Sequence, residues 1–275
     1  MAISPSQRRL AAALQQLRAR SGLSAAELGR TLGWTQTRVS RTELGRRSIS
    51  LADAVAWADA TSAPPDLRAE VTELAESAAR AVRSWWSVHA EGLAGRQHEI
   101  AALESSATIV RNIQHIVPGL LQTADYARHA MGLANVSGQG DLTAAVGARM
   151  RRQEILYDPA RRFEYVLPES ALRWRLADND AGMRAQADRL LSVDSLPNVS
   201  IAILPFTVPP PAWPTAFVIY EIPGQPLVVV ETLTDEFVLG GDREVTAYRD
   251  AFARVQAAAV TGDEAHDLIR DAMTR

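Results

Sequence analysis

The chain has no cysteine and no lysine in its 275 residues, and aromatic side chains make up only 6% of it. Lack of cysteine excludes thiolate catalysis, zinc ribbons and disulfide scaffolds. Lack of lysine makes every one of the 29 basic residues an arginine, whose planar guanidinium can hold a base edge or clamp a phosphate with two hydrogen bonds. No apolar run approaches the roughly 20 residues needed to span a bilayer. The start, MAISPSQRRL, has arginines but no apolar stretch behind them, so no secretory signal and no membrane partner are expected, and the chain is expected in the cytoplasm. At 47% hydrophobic and 22% charged residues, the composition is that of a globular protein long enough for one large domain or two smaller ones.

The net charge of -3 conceals a split. Residues 1–62 carry nine arginines against four acids, a local +5, whereas the remainder carries 20 arginines against 28 acids, a local -8. A basic block on an acidic body points to an anionic partner for the first part only.

Residues 4–61 read as four short helices. Ser4 can cap the first, with Pro5 at its first position and Leu10, Leu14 and Leu17 at helical spacing. Ser24 with Glu27 forms a capping box for the second, which closes near Gly33; Thr35 can cap the third and Ser50 with Asp53 the fourth. Pro64-Pro65 then marks a boundary, placing a helical domain at 1–63 and a larger domain at 64–275. A long amphipathic helix with Leu67, Val71, Leu74, Ala78 and Val82 is expected to lead from the boundary into Trp85 and Trp86. Further helices are expected over Glu99 to Ile113, Thr123 to Met131, and through Arg149 and Arg152. From Phe163 the pattern changes: FEYVL, VSIAIL, AFVIYEI and LVVVET read as strands, the last two joined as a hairpin through IPGQP, with helices around Gly182 to Leu191 and twice more after Asp242. The fold class is therefore mainly α with an α+β second domain, its sheet holding about four or five mostly antiparallel strands.

The most specific signal is LSAAELGRTLGWTQTRVSRTELGRR, residues 23–47. Two short helices meeting at a steep angle need a small residue where they touch, a glycine in the turn and an apolar anchor in the second helix. Gly29, Gly33 and Val39 stand in those places, and Leu28, Leu32 and Trp34 face inward. The segment resembles the helix-turn-helix of the lambda-repressor-like, or XRE, family, including a Ser-x-x-Glu-x-Gly tail in SRTELGRR. That resemblance implies that the helix beginning at Thr35 enters the major groove with its N-terminal residues against base edges. Gln36 can then pair with adenine and Arg41 with guanine, Thr37 can meet a base or a thymine methyl, Arg38 and Ser40 stay open between base and phosphate, and Arg46 and Arg47 suit phosphate. Ala25 stands where the family commonly has glutamine. The resemblance also implies a structural ion pair between Arg18 and Glu43. Trp34 and Trp57 are read as core residues.

The larger domain shows no P-loop, no nucleophile elbow and no zinc-protease motif, and its histidines lack metal-ligand spacing. No enzyme activity, cofactor or metal is expected. Its phrases SWW, ALESSA, IVPGLLQTADYA, RMRRQ, VLPESAL, LPNVSIAILPF and VVVETL resemble, in that order, the actinobacterial WhiJ-like regulators. One of Trp85 and Trp86 is a candidate pocket or interface residue, because neighbours on a helix point about 100° apart. Glu104, Gln122 and Tyr126 are polar groups in apolar helices that can either line a ligand cavity or satisfy helix ends. The resulting expectation is a homodimeric transcription regulator on a double-stranded DNA operator, its second domain sensing a small-molecule effector or a small protein partner encoded nearby. The alternative is an antitoxin-like interaction protein that uses DNA binding for autoregulation.

Overall fold

A computed structural model describes residues 5–45, 49–84, 92–135, 138, 140–175, 180–212, 215–233 and 235–274. The chain divides into two compact units, one formed by residues 1–82 with 237–244 and the other by 83–236 with 245–275.

The first unit contains α1 (Pro5–Ser21), α2 (Ala25–Leu32), α3 (Gln36–Glu43), α4 (Leu51–Ala60) and α5 (Pro65–Ala79). Local cap chemistry sets their starts. Ser24 and Glu27 form the reciprocal capping box of α2, and Thr35 and Ser50 accept backbone N–H groups at the starts of α3 and α4. Gly33 ends α2 in the left-handed region at φ +67, where a side chain costs about 1 kcal/mol or more. The core joins Leu10, Leu14, Leu17, Leu28, Val39 and Trp57. Fully buried Trp57 donates its indole N–H to the Leu14 carbonyl at 3.1 Å, and Trp34 meets it edge-on at 5.9 Å. Both tryptophans therefore belong to the core.

The compact unit does not end at the Pro64-Pro65 boundary. Val71 and Ala75 of α5 are buried in the same core as Leu14 and Trp57, with Leu67 and Leu74 packed against it. The helix expected to lead out of the first domain is a fifth wall of it, and it ends at Ala79.

The second unit contains α6 (Gly92–Ser106), β2 (Ile109–Ile113), α7 (Ala124–Ala134), α8 (Leu142–Arg152), β3 (Arg162–Pro168), α9 (Glu169–Arg173), α10 (Asp180–Asp194), β4 (Val199–Leu204), β5 (Phe217–Glu221), β6 (Leu227–Glu231), most of α11 (Asp242–Ala258) and α12 (Gly262–Thr274). Strands β1 (Arg80–Ser84) and β7 (Asp235–Leu239) fall at the sequence boundaries between the units. The helix expected over Glu99 to Ile113 stops at Ser106, and Ile109–Ile113 is a strand. Its apolar spacing suits either period, and pairing on both sides decides for β.

Within this unit the sheet runs β6-β5-β2-β3-β4. The expected antiparallel pairings occur between β2 and β5 and between β5 and β6, the latter a hairpin turning at Gly224. The other half departs from that expectation: β2 pairs parallel with β3, and β3 with β4. Parallel neighbours need long crossovers, supplied here by α7 and α8, then by α9 and α10. The register places Val110, Asn112, Tyr165, Val218, Tyr220 and Val229 on one face and Arg111, Glu164, Ile219 and Val228 on the other. On that second face Arg111 pairs with Glu164 at 2.8 Å and with Glu221, which also receives Arg249 of α11.

Gly29 is the tightest point of the first unit. A Cβ there would stand 2.8 Å from the Trp34 carbonyl oxygen, a backbone atom that cannot rotate away. Gly29→Ala is expected to destabilise this unit by about 1–3 kcal/mol, measured by chemical denaturation; an unchanged midpoint would show that the turn can relax.

Candidate functional site

Helix α3 separates its residues by face. Val39 and Thr42 point inward, while Thr35, Gln36, Thr37, Ser40 and Arg41 are exposed. The exposed set presents one amide, three hydroxyl-bearing side chains and one guanidinium, and Thr35 among them caps the helix through the Arg38 N–H at 3.2 Å. These are donors and acceptors suited to base edges and phosphates.

Two other arginines near this face are already committed. Arg18 donates to both carboxylate oxygens of Glu43, at 2.5 and 3.1 Å, and to the Leu23 carbonyl at 2.9 Å. The hydrogen bond to Glu43 raises the Arg18 pKa above its ordinary value. This bidentate pair ties α1 to α3, as the resemblance implied. Arg38, left open between base and phosphate, is half-buried; it donates to Asp53 at 2.8 Å and stacks 3.6 Å from the centre of the Trp34 ring. It braces α3 against α4. Arg46 and Arg47 lie outside the described residues. Ala25 is half-buried beside the core. Arg8, Arg9 and Arg20 are exposed on α1.

The second unit holds a cavity of about 400 Å³ between the first face of the sheet and α6, α7 and α8. Glu104 and Gln122 line it, as the cavity reading required, but Tyr126 does not. The Tyr126 hydroxyl is buried and accepts the Val117 backbone N–H at 3.2 Å, holding the Pro118-Gly119 turn. That contact satisfies a loop and lines no ligand site. Trp85 and Trp86 lie outside the described residues.

Sequence reasoning missed the charged floor of this cavity. Arg149 donates to Gln97 at 3.1 Å and to Gln122 at 2.7 Å, while Arg152 donates to the same Gln97 oxygen at 2.7 Å. Glu104 comes within 3.1 Å of the Arg152 Nε, but neither atom is aligned for a hydrogen bond. Burial pushes the Glu104 carboxyl up to about 7 against the opposing pull of Arg152 and Arg149. Burial and the neighbouring charge of Arg152 together bring Arg149 down to about 9. Arg96, also on the cavity wall, meets Glu99, Glu231 and Glu236. The signal lay in RMRRQ: Ala145 is buried on α8, and a spacing of four and then three puts Arg149 and Arg152 on its stripe.

Comparison with known families agrees with this division. Residues 9–71 match a model described as a helix-turn-helix domain, the class of fold that presents one helix to DNA. Residues 97–271 match a model described as a domain of unknown function (DUF5753), and since that covers more than half of the chain, the protein belongs to this family. No curated protein matches the chain. Among the described residues no helix is long and apolar enough to cross a membrane.

Two outcomes are expected. Arg38→Ala should lower the stability of the first unit without changing which bases are preferred; a changed preference at normal stability would return Arg38 to the interface. The second concerns Glu104, whose folded pKa lies above its ordinary value, so its protonated form is favoured by folding. Stability should therefore fall as pH rises from about 4.5 to about 7 and then level off. Glu104→Gln should remove most of that fall, seen in denaturation at pH 5 and pH 8; parallel profiles for the two proteins would contradict the burial argument.

Proposed function

We propose that the chain is a transcription regulator that reads a specific DNA sequence through α3 and takes a small-molecule signal in its second unit. The observation that carries the DNA reading is the exposed row Gln36, Thr37, Ser40 and Arg41 on a helix whose inner face and cap are fully occupied. In this reading Gln36 and Arg41 hold base edges, each contributing roughly 1–3 kcal/mol of discrimination. Thr37 and Ser40 take the neighbouring bases or phosphates. Arg46 and Arg47, by their position after the helix in sequence, serve phosphate contacts that position the protein without specifying the site.

The docking geometry of helix-turn-helix readers suits a homodimer on two half-sites spaced by about 10 base pairs or a multiple. The cavity, walled by arginines, amides, apolar side chains and the carboxylates of Glu104, Glu231 and Glu236, is the space in the second unit that suits a small-molecule signal. An effector can act only by preferring one state of the protein, because equal affinity for both states shifts nothing.

Selection of bound sequences from a random pool, followed by titration at several salt concentrations, tests the DNA reading. Arg41→Ala should relax preference at one base pair of each half-site by about 1–3 kcal/mol. Binding of the unaltered chain should fall steeply as salt rises. An unselective, salt-insensitive protein would contradict the proposal.

A further inference from the structure

The arginines of RMRRQ form a paired anion seat. Gly119 shows how closely they are packed: a Cβ added there would stand 2.7 Å from Arg152 Nη2 and 3.3 Å from Arg149 Nε, so both guanidiniums lie against the Gly119 backbone and a side chain there would displace them. Gln97 bridges the two from one side and Gln122 holds Arg149 from another, through neutral oxygens only. Among the described residues no carboxylate reaches Arg149 within ion-pair distance, and the one beside Arg152 is misaligned. Two adjacent guanidiniums therefore have one buried carboxyl within ion-pair distance, whereas Arg96 is matched by three carboxylates.

A second observation concerns neutral atoms. Five buried side-chain polar atoms among the described residues find no hydrogen-bond partner in the protein; those of Glu104 and Arg152 stand 3.1 Å from each other, whereas Asn112 Oδ1 and the Tyr165 hydroxyl, also on residues that line this cavity, are left for another partner. Tyr165 and Glu104 are 1% and 4% exposed. An unsatisfied buried polar atom costs roughly 1–3 kcal/mol, so their convergence on one space marks it as built to receive polar atoms. The rest of the wall is apolar, with Leu103, Val110, Met131, Val218 and Val229 among its members. A volume of about 400 Å³ lies in the range of small-molecule sites.

We propose that this cavity binds a small organic anion, its acidic group seated on Arg149 and Arg152 over Gly119 and its apolar body lying along the first face of the sheet. The Nη2 groups of the pair, not used by Gln97, Gln122 or Glu104, can meet one anionic group in charge-assisted hydrogen bonds. Tyr165 and Asn112 stand ready for a polar substituent on the body. The inference gives the signal of the proposed regulator a chemical class; it rests on that reading only for its consequence at the DNA.

The test uses the full chain and two dyes that share an apolar body, anilinonaphthalene sulfonate, which carries an anion, and its uncharged parent N-phenyl-1-naphthylamine. Fluorescence titration should show the sulfonate binding the native protein roughly tenfold tighter or more. Arg149→Gln should reduce the two affinities to similar values while binding of the uncharged dye persists. Because removal of a buried guanidinium can disturb folding, Gly119→Ala provides a second test: it keeps both charges, displaces their seat and should weaken the sulfonate selectively. Equal affinity for the two dyes in the unaltered chain, or a sulfonate preference that survives both substitutions, would overturn the proposal. Adding the sulfonate to the protein bound to its selected DNA separates the two readings. A seat that depends on Arg149 but leaves DNA affinity unchanged would uphold the anion site and defeat the sensing role, whereas loss of the seat would leave DNA recognition by α3 standing.

Discussion

A guanidinium cannot shed its proton at ordinary pH, so burying one is costly unless its charge is paired or hydrogen-bonded. This chain, which has no lysine, places all of its 29 side-chain cations under that constraint. The arginines sort by what each already holds. Arg18 is closed by both oxygens of Glu43, Arg38 by Asp53 and the Trp34 ring, Arg96 by three carboxylates and Arg111 by two. These are struts. Arg41 is exposed on α3, and Arg149 is held by amide oxygens alone. The proposed anionic partners draw on this second group.

In the first unit the struts hold α3, the proposed reading helix, in place. Arg18 fixes the helix to α1 and Arg38 fixes it to α4, while Gly29 lets the Trp34 backbone approach closely enough to set the turn. Side chains on a helix held from both sides can meet base edges with little further loss of freedom, which favours discrimination over loose attachment. In the second unit the same residue type serves a cavity. The glutamines there do the work that carboxylates do elsewhere: Gln97 and Gln122 orient guanidiniums without neutralising them, and Gln153 and Gln186 tie the 117–123 loop through its carbonyls and the Thr123 N–H.

Features set by neighbouring residues were legible in the sequence. The caps at Ser24, Thr35 and Ser50, the left-handed Gly33 and the β5–β6 hairpin all follow from chemistry within a few positions. What depended on distant partners was not. Ile109–Ile113 reads equally well as the end of a helix until β3 and β5 pair on either side of it. The Pro64-Pro65 break looks like a domain edge, yet Val71 and Ala75 beyond it find the core of the first unit. Tyr126 and Glu104 looked alike as polar groups in apolar helices, and only the position of Val117 against one and Arg152 against the other tells a loop clasp from a cavity wall. Arg149 and Arg152 stood in plain sight in RMRRQ, but the space they face is assembled from residues more than a hundred positions apart.

The sorting of arginines can be observed directly through their side-chain Nε–Hε resonances in the full chain. On addition of its selected DNA, the Arg41 signal should shift or gain protection while those of Arg18 and Arg38 stay in place; on addition of a small organic anion, the Arg149 and Arg152 signals should move and that of Arg96 should not. Movement of Arg18 and Arg38 with DNA while Arg41 remains still, or an anion that shifts Arg96 and leaves Arg149 untouched, would contradict the division between struts and seats.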